Sequence, residues 1–340
     1  MPLPQAFPDP TESSTYDGLL ELVGSTPLLR VGALADGLPA EVYLKLDYAN
    51  AGGSSKDRIA LNIVREAERT GELGPGHRII DIGAGNTAIG FALAGIATGH
   101  PVTAVVTEEL APTKARLLHL LGVTLVPGRG DLPKTDPANW EAVARRHADE
   151  DPSTWWSNQS GTGSNPSAHY VSTGPEVWHQ TKGRVTTFVA ALATGGTASG
   201  AGRFLKEQNP QVRVVGTALR ESPLVTKGLV DAFEQGLPVG ENPELPTNID
   251  LALLDDLRTV PKAEVVELGW RVARTQGLVL GISSVLSLRV SLDLAAQASP
   301  GDVIVSFVAD HGRDYLDREY DPRWLRANGL EDVADRFDVS

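Results

Sequence analysis

Apolar positions along the 340-residue chain switch between two periods, and the switches predict its elements. Ile59, Ala60, Ile63, Val64 and Ala67 recur at helical spacing between a pair of serines and Gly71, which predicts a helix with a serine cap and a glycine stop. From Arg78 onward, short β-branched runs and longer helical runs take turns: strand 79–82, a glycine turn, helix 88–97, strand 102–107, helix 112–121 and strand 123–126. Upstream, 16–23 reads as a short helix and 28–31 and 41–46 as strands. A loose connection at 127–138 leads to a helix at 140–147. The alternation then resumes with helix 166–178, strand 186–192, helix 197–207 and strand 212–219. Residues 221–254 show no clear period. They are followed by strand 258–260, helix 263–275, the segment 281–284, helix 285–298 and strand 303–308. This order means α/β, in two domains, each an open, mostly parallel twisted sheet flanked by helices.

Composition narrows the function classes. Hydrophobic (41%) and charged (21%) fractions are those of a globular protein, and a formal net charge of −13 argues against binding a nucleic-acid backbone. The longest apolar region, 89–106, is interrupted by Gly90, Gly95, Gly99, His100 and Pro101, so it suits a buried helix and strand better than a membrane span. The N-terminal tip, 1–14, has neither the basic start nor the apolar core of a signal peptide, and a cytoplasmic protein is expected. The absence of cysteine removes disulfides, thiolate nucleophiles and thiolate metal sites. No histidine or carboxylate spacing suggests a metal.

The candidate chemistry sits in three places. Lys56 follows Gly52, Gly53, Ser54 and Ser55 at the start of a helix, where the dipole disfavours an ammonium and favours the neutral amine that attacks a carbonyl. A solvated surface lysine is the alternative. Ala193-Thr194-Gly195-Gly196-Thr197 runs from a strand into a helix, with free N–H groups and two hydroxyls for one phosphate monoester. Glycines kept only for tight packing are the alternative there. Gly83-Ala84-Gly85-Asn86-Thr87-Ala88 matches a dinucleotide fingerprint, with Glu108 or Glu109 as the ribose acid, or the nucleotide loop of a methyltransferase. An NAD- or S-adenosylmethionine-binding enzyme would, however, leave Lys56 and the second loop unused. Pyridoxal 5'-phosphate uses all three places, through its aldehyde, its phosphate and its ring substituents. Asn86 can serve the phenolic oxygen, and a hydroxyl of Gly281-Ile282-Ser283-Ser284 the ring nitrogen.

Six stretches in order resemble the cysteine synthase and cystathionine β-synthase family, the fold type II pyridoxal phosphate enzymes: VGSTPLLRV from Val23, NAGGSSKDR from Asn50, GNTAIGFALA from Gly85, ATGGTASG from Ala193, GISS from Gly281 and DHGRDYLD from Asp310. The resemblance implies that Lys56 is the Schiff-base lysine and the base for the α-proton, that Asn86 meets the phenolic oxygen and that Ser283 meets the ring nitrogen. It also implies that Ala193, Thr194, Gly195, Gly196 and Thr197 wrap the phosphate, and that Gly85, Thr87 and Gln159 hold the substrate carboxylate. It further implies β-replacement on L-serine or an O-activated L-serine through an aminoacrylate, most simply with a sulfur nucleophile, in a cytoplasmic homodimer. Residues 15–47 with 152–325 would form a large cofactor-binding domain and 48–151 a small mobile one, flanked by a disordered tip, 1–14, and a tail, 326–340. The chain departs from the family at Gly83 and Ala84, where two hydroxyls are expected, at Ala193 and Val285, where glycines are expected, and at Lys227-Gly228-Leu229. These changes leave the cofactor residues in place and the amino-acid specificity open, and the end of the chain, YLDREYDPRWL from Tyr315, is similar to the cystathionine β-synthase and diaminopropionate synthase branches, which implies products of the diaminopropionate type as an alternative.

Overall fold

The computed structural model describes residues 15–83, 85–108, 110–242 and 244–338. The tip 1–14, Ala84 and Glu109 lie outside the described residues. Among the described residues ten strands are formed: β1 Leu28–Arg30, β2 Glu41–Leu46, β3 Arg78–Ile82, β4 Val102–Val106, β5 Thr124–Pro127, β6 Thr154–Trp156, β7 Thr187–Ala191, β8 Arg213–Leu219, β9 Asp256–Val260 and β10 Val303–Val308. The helices are α1 Lys56–Thr70, α2 Asn86–Thr98, α3 Pro112–Leu120, α4 Trp140–Glu150, α5 Ser164–Val171, α6 Thr173–Gln180, α7 Gly196–Gln208, α8 Pro223–Thr226, α9 Leu229–Glu234, α10 Lys262–Gln276, α11 Ile282–Ala295, α12 Pro322–Ala327 and α13 Glu331–Phe337.

The chain divides into two compact units. The first, residues 15–25 and 50–168, is built on a parallel sheet in the order β5-β4-β3-β6. Its inner strand β3 is buried from Ile79 to Ile82 because both faces are covered. Ile79 packs with Ile59 of α1 and Phe91 of α2, whereas Ile80 and Ile82 pack with Val143 of α4. The helices α1 and α2 lie close enough that a Cβ on Gly90 would stand 2.8 Å from the carbonyl oxygen of Lys56. Only a glycine leaves room there.

The second unit, residues 26–49 and 169–338, carries a six-stranded sheet in the order β1-β2-β10-β7-β8-β9, parallel except for the edge strand β1. All six residues of the central strand β10 are buried. One face of this sheet packs against α10 and α11 and the other against α7, each through aliphatic side chains. Lys45 of β2 is fully buried in the same unit. Its ammonium lies 2.5 Å from Glu176 of α6 and donates to the Thr26 carbonyl and to Gln180.

Several elements differ from those predicted. The stretch 16–23 holds only a 3-10 turn at Leu19–Leu22. The helix predicted at 166–178 is two helices, because Ser172 (φ −128°, ψ −70°) breaks the run between α5 and α6. Strand β6 was not anticipated; by pairing with β3 it carries the first unit past Asp151 as far as Ala168. The helix predicted to begin at 285 begins at Ile282, with Gly281 at the cap position, so the segment 281–284 forms the start of α11. Residues 221–254 hold short helices, and α13 buries Val333 and Ala334 in the core of the second unit, where a tail was expected.

Candidate active site

Lys56 opens α1. The serine that caps its N–H is Ser54, whose hydroxyl accepts from the Lys56 amide at 3.2 Å; Ser55, at the cap position itself, is in helical conformation and makes no cap bond. The loop before it is drawn tight by Asp57, whose carboxylate accepts from the Gly52 amide at 2.6 Å and occupies the space that a Cβ on Gly52 would need. At the other end, Gly71 takes φ 80° and ends the helix, as its position in the sequence predicts.

Asn86 opens α2 in the same unit, after Gly85 at φ 121°. The next residue, Thr87, donates to Gln159 Oε1 at 3.1 Å, while Gln159 Nε2 donates to the Ile82 carbonyl at 2.8 Å and Asn165 donates to the Gln159 carbonyl. Thus the two side chains that resemblance assigned to the substrate carboxylate touch, although 72 positions separate them. Gly83 packs on Thr87: a Cβ there would approach Thr87 Cβ to 3.2 Å. Asp81 of β3 is buried and its Oδ1 accepts from the Ile82 amide; burial pushes its carboxyl up to about 8, against the lowering effect of hydrogen bonds. A residue not singled out by its position, Lys114 of α3, donates to Asn86 Oδ1 at 2.8 Å.

In the second unit the strand β7 runs into Ala193, Thr194 and Gly195, and α7 begins at Gly196. Gly195 takes φ 85°, and a Cβ on it would lie 2.3 Å from Ile249 Cγ1. Gly195, at the cap position, brings no side chain to the start of α7, whose first N–H groups lie at the positive end of the dipole. Thr197 is supported from below by buried His169, whose Nε2 stands 3.1 Å from the threonine hydroxyl while Nδ1 meets Thr173. Nothing in the spacing of His169 and Thr197 signals that pairing. At α11 the two serines divide the work. Ser284 is buried and accepts from the Ala309 amide, whereas the hydroxyl of half-buried Ser283 makes no hydrogen bond among the described residues. His311 caps a 3-10 turn by accepting from the Arg313 amide, and burial followed by the Arg313 charge holds its imidazole below the usual range.

A helix start behind a glycine that excludes any Cβ fits a phosphate monoester, a serine hydroxyl without a hydrogen bond among the described residues fits a pyridine nitrogen, and a helix-opening lysine fits an aldehyde. The model for the family described as pyridoxal-phosphate dependent enzyme matches residues 19–310. The chain belongs to that family. Among curated relatives, cysteine synthase 1 of Neurospora crassa is 32% identical over 92% of this chain and 85% of its own length. Cysteine synthase of Staphylococcus aureus is 30% identical over 88% of this chain and 95% of its own. Among solved structures, O-ureido-L-serine synthase aligns with a TM-score of 0.79 and 29% identity, over 89% of this chain and 94% of that one. Membership of the pyridoxal phosphate family sets aside the NAD or S-adenosylmethionine reading of residues 83–88. Among the described residues no helix is long and apolar enough to cross a membrane, and no cluster of His, Asp or Glu could hold a metal.

Proposed function

We propose that this enzyme replaces the β-substituent of L-serine or an O-activated L-serine, with a sulfur nucleophile as the first choice. The observation that carries the reading is the Thr87–Gln159 pair, which stands in the unit that also carries Lys56 and Asn86. When bound, pyridoxal phosphate supplies the electron sink that makes loss of the α-proton feasible. Residues 193–197 would hold its phosphate through the N–H groups that open α7, Asn86 its phenolic oxygen and Ser283 its ring nitrogen. Lys56 would bind the aldehyde through Nζ and, released by the substrate amine, take the proton from Cα. Thr87 and Gln159 would orient the substrate carboxylate. A neutral serine at the ring nitrogen gives a weaker electron sink than a carboxylate would, which suits elimination at Cβ. The resemblance also supports a homodimer and a cytoplasmic setting, which sedimentation and fractionation would test.

The departure at Gly83 favours a second reading, in which the β-replacement makes a non-proteinogenic amino acid. The likeness to O-ureido-L-serine synthase supports it. The deciding experiment incubates purified holoenzyme with serine, O-acetylserine or O-phosphoserine and a panel of sulfur, nitrogen and oxygen nucleophiles, with products read by mass spectrometry. A yellow protein whose visible band shifts on adding one of these amino acids is expected, with Lys56→Ala losing turnover by several orders of magnitude. Unchanged turnover in that variant would end the reading.

A further inference from the structure

Lys114 is the third residue of α3, 28 positions from the asparagine it touches, and its Nζ donates to Asn86 Oδ1 at 2.8 Å. Its stem lies across Gly85: a Cβ on that glycine would stand 2.4 Å from Lys114 Cδ and 3.2 Å from Nζ. The φ of 121° is what requires glycine at position 85, and the lysine stem lies beside it. Lysine carries only donors, so a contact between its ammonium and the Asn86 side chain assigns the oxygen to the lysine side of the amide and the Nδ2 hydrogens to the other.

We propose that Lys114 is a positioning residue for the reaction: it locks the Asn86 amide with Oδ1 turned toward α3, so that Nδ2 is the donor offered to the cofactor's phenolic oxygen. The proposal rests on the role given to Asn86 above. An amide free to rotate could present either its oxygen or its nitrogen, and an oxygen facing a phenolate would repel it. A cation on Oδ1 also polarises the amide and strengthens its N–H donors. Lys114 thus supports from α3 the helix start that carries Asn86.

The test is a double-mutant cycle on the holoenzyme at one fixed pH with Lys114→Met, Asn86→Ala and the two combined. It reads the ratio of near-ultraviolet to visible cofactor absorbance and the dissociation constant of pyridoxal phosphate. Lys114→Met is expected to raise that ratio and weaken retention roughly tenfold, the scale of one lost charge-assisted hydrogen bond. Lys114→Gln, which keeps a donor without the charge, should fall between. In the Asn86→Ala background, Lys114→Met should change neither quantity. An equal effect in both backgrounds would mean a direct influence of the charge and would overturn the proposal. So would an unchanged spectrum in Lys114→Met beside an altered one in Asn86→Ala. If Asn86→Ala itself left spectrum and retention as they were, the role of Asn86 would fall first and the inference with it.

Discussion

At the scale of single residues, the sequence marks out groups by type, and the structure adds which of them meet. Thr87 and Gln159 reached the candidate site only through resemblance, since no periodicity joins positions 72 apart; their hydrogen bond makes them one device. Thr87→Val keeps the shape and removes the hydroxyl. It is expected to raise KM for the amino-acid substrate about 10- to 100-fold, the cost of one hydrogen bond to a charged group, while the cofactor's visible band stays in place. Steady-state kinetics beside an absorption spectrum checks both halves. Gly83 yields a less obvious expectation. Restoring the family's threonine there should not restore a carboxylate site, because its Cβ would come within 3.2 Å of Thr87 Cβ and push the hydroxyl that holds Gln159. Gly83→Thr should therefore raise KM and cost about 1–3 kcal/mol of stability. A lowered KM would show that the loop adapts.

At the scale of elements, the strands and helices that carry the candidate chemistry were legible, because each joins a β-branched run to a glycine turn and a helical run. Strands β2 and β10 match their predicted limits. What was not legible has physical causes. Strand β6 has three residues, two of them tryptophan, too short for a period to show. Pro175 stands in the first turn of α6, where a missing N–H costs nothing, and it marks a helix start that the apolar pattern across 166–178 ran through at Ser172. The buried partners of Lys45 lie far along the chain, and no local signal pairs Lys45 with Glu176. Glycine positions make the sharpest predictions at this scale. In Gly195→Ala the new methyl must meet Ile249 and the backbone must hold φ 85°, so stability should fall by at least about 1 kcal/mol and cofactor retention several-fold more than in a surface control. Gly90→Ala would set a methyl 2.8 Å from the Lys56 carbonyl and force α1 and α2 apart, at about 1–3 kcal/mol in chemical denaturation. A neutral result would mean that the two helices slide freely.

At the scale of the whole molecule, the acidic chain gains charge repulsion as pH rises, and one buried group adds a specific pH dependence to that general one. Asp81 is 3% exposed, Oδ2 finds no hydrogen-bond partner among the described residues, and burial lifts its carboxyl from an ordinary 3.8 to about 8. The folded protein therefore binds more protons than the unfolded chain between pH 3.8 and about 8. The stability this provides is complete below the lower limit and is lost as pH rises through the upper one. Asparagine imitates the protonated carboxyl and cannot ionise. Subtracting wild type from Asp81→Asn removes the charge repulsion common to both and leaves the contribution of this one group. The variant's advantage in unfolding free energy should grow steadily from pH 5 to about pH 8 and stay level above it. Denaturant titrations at half-unit pH steps would record it. A difference that stays constant across that range would mean that Asp81 is ionised throughout, stabilised by a bound water or cation.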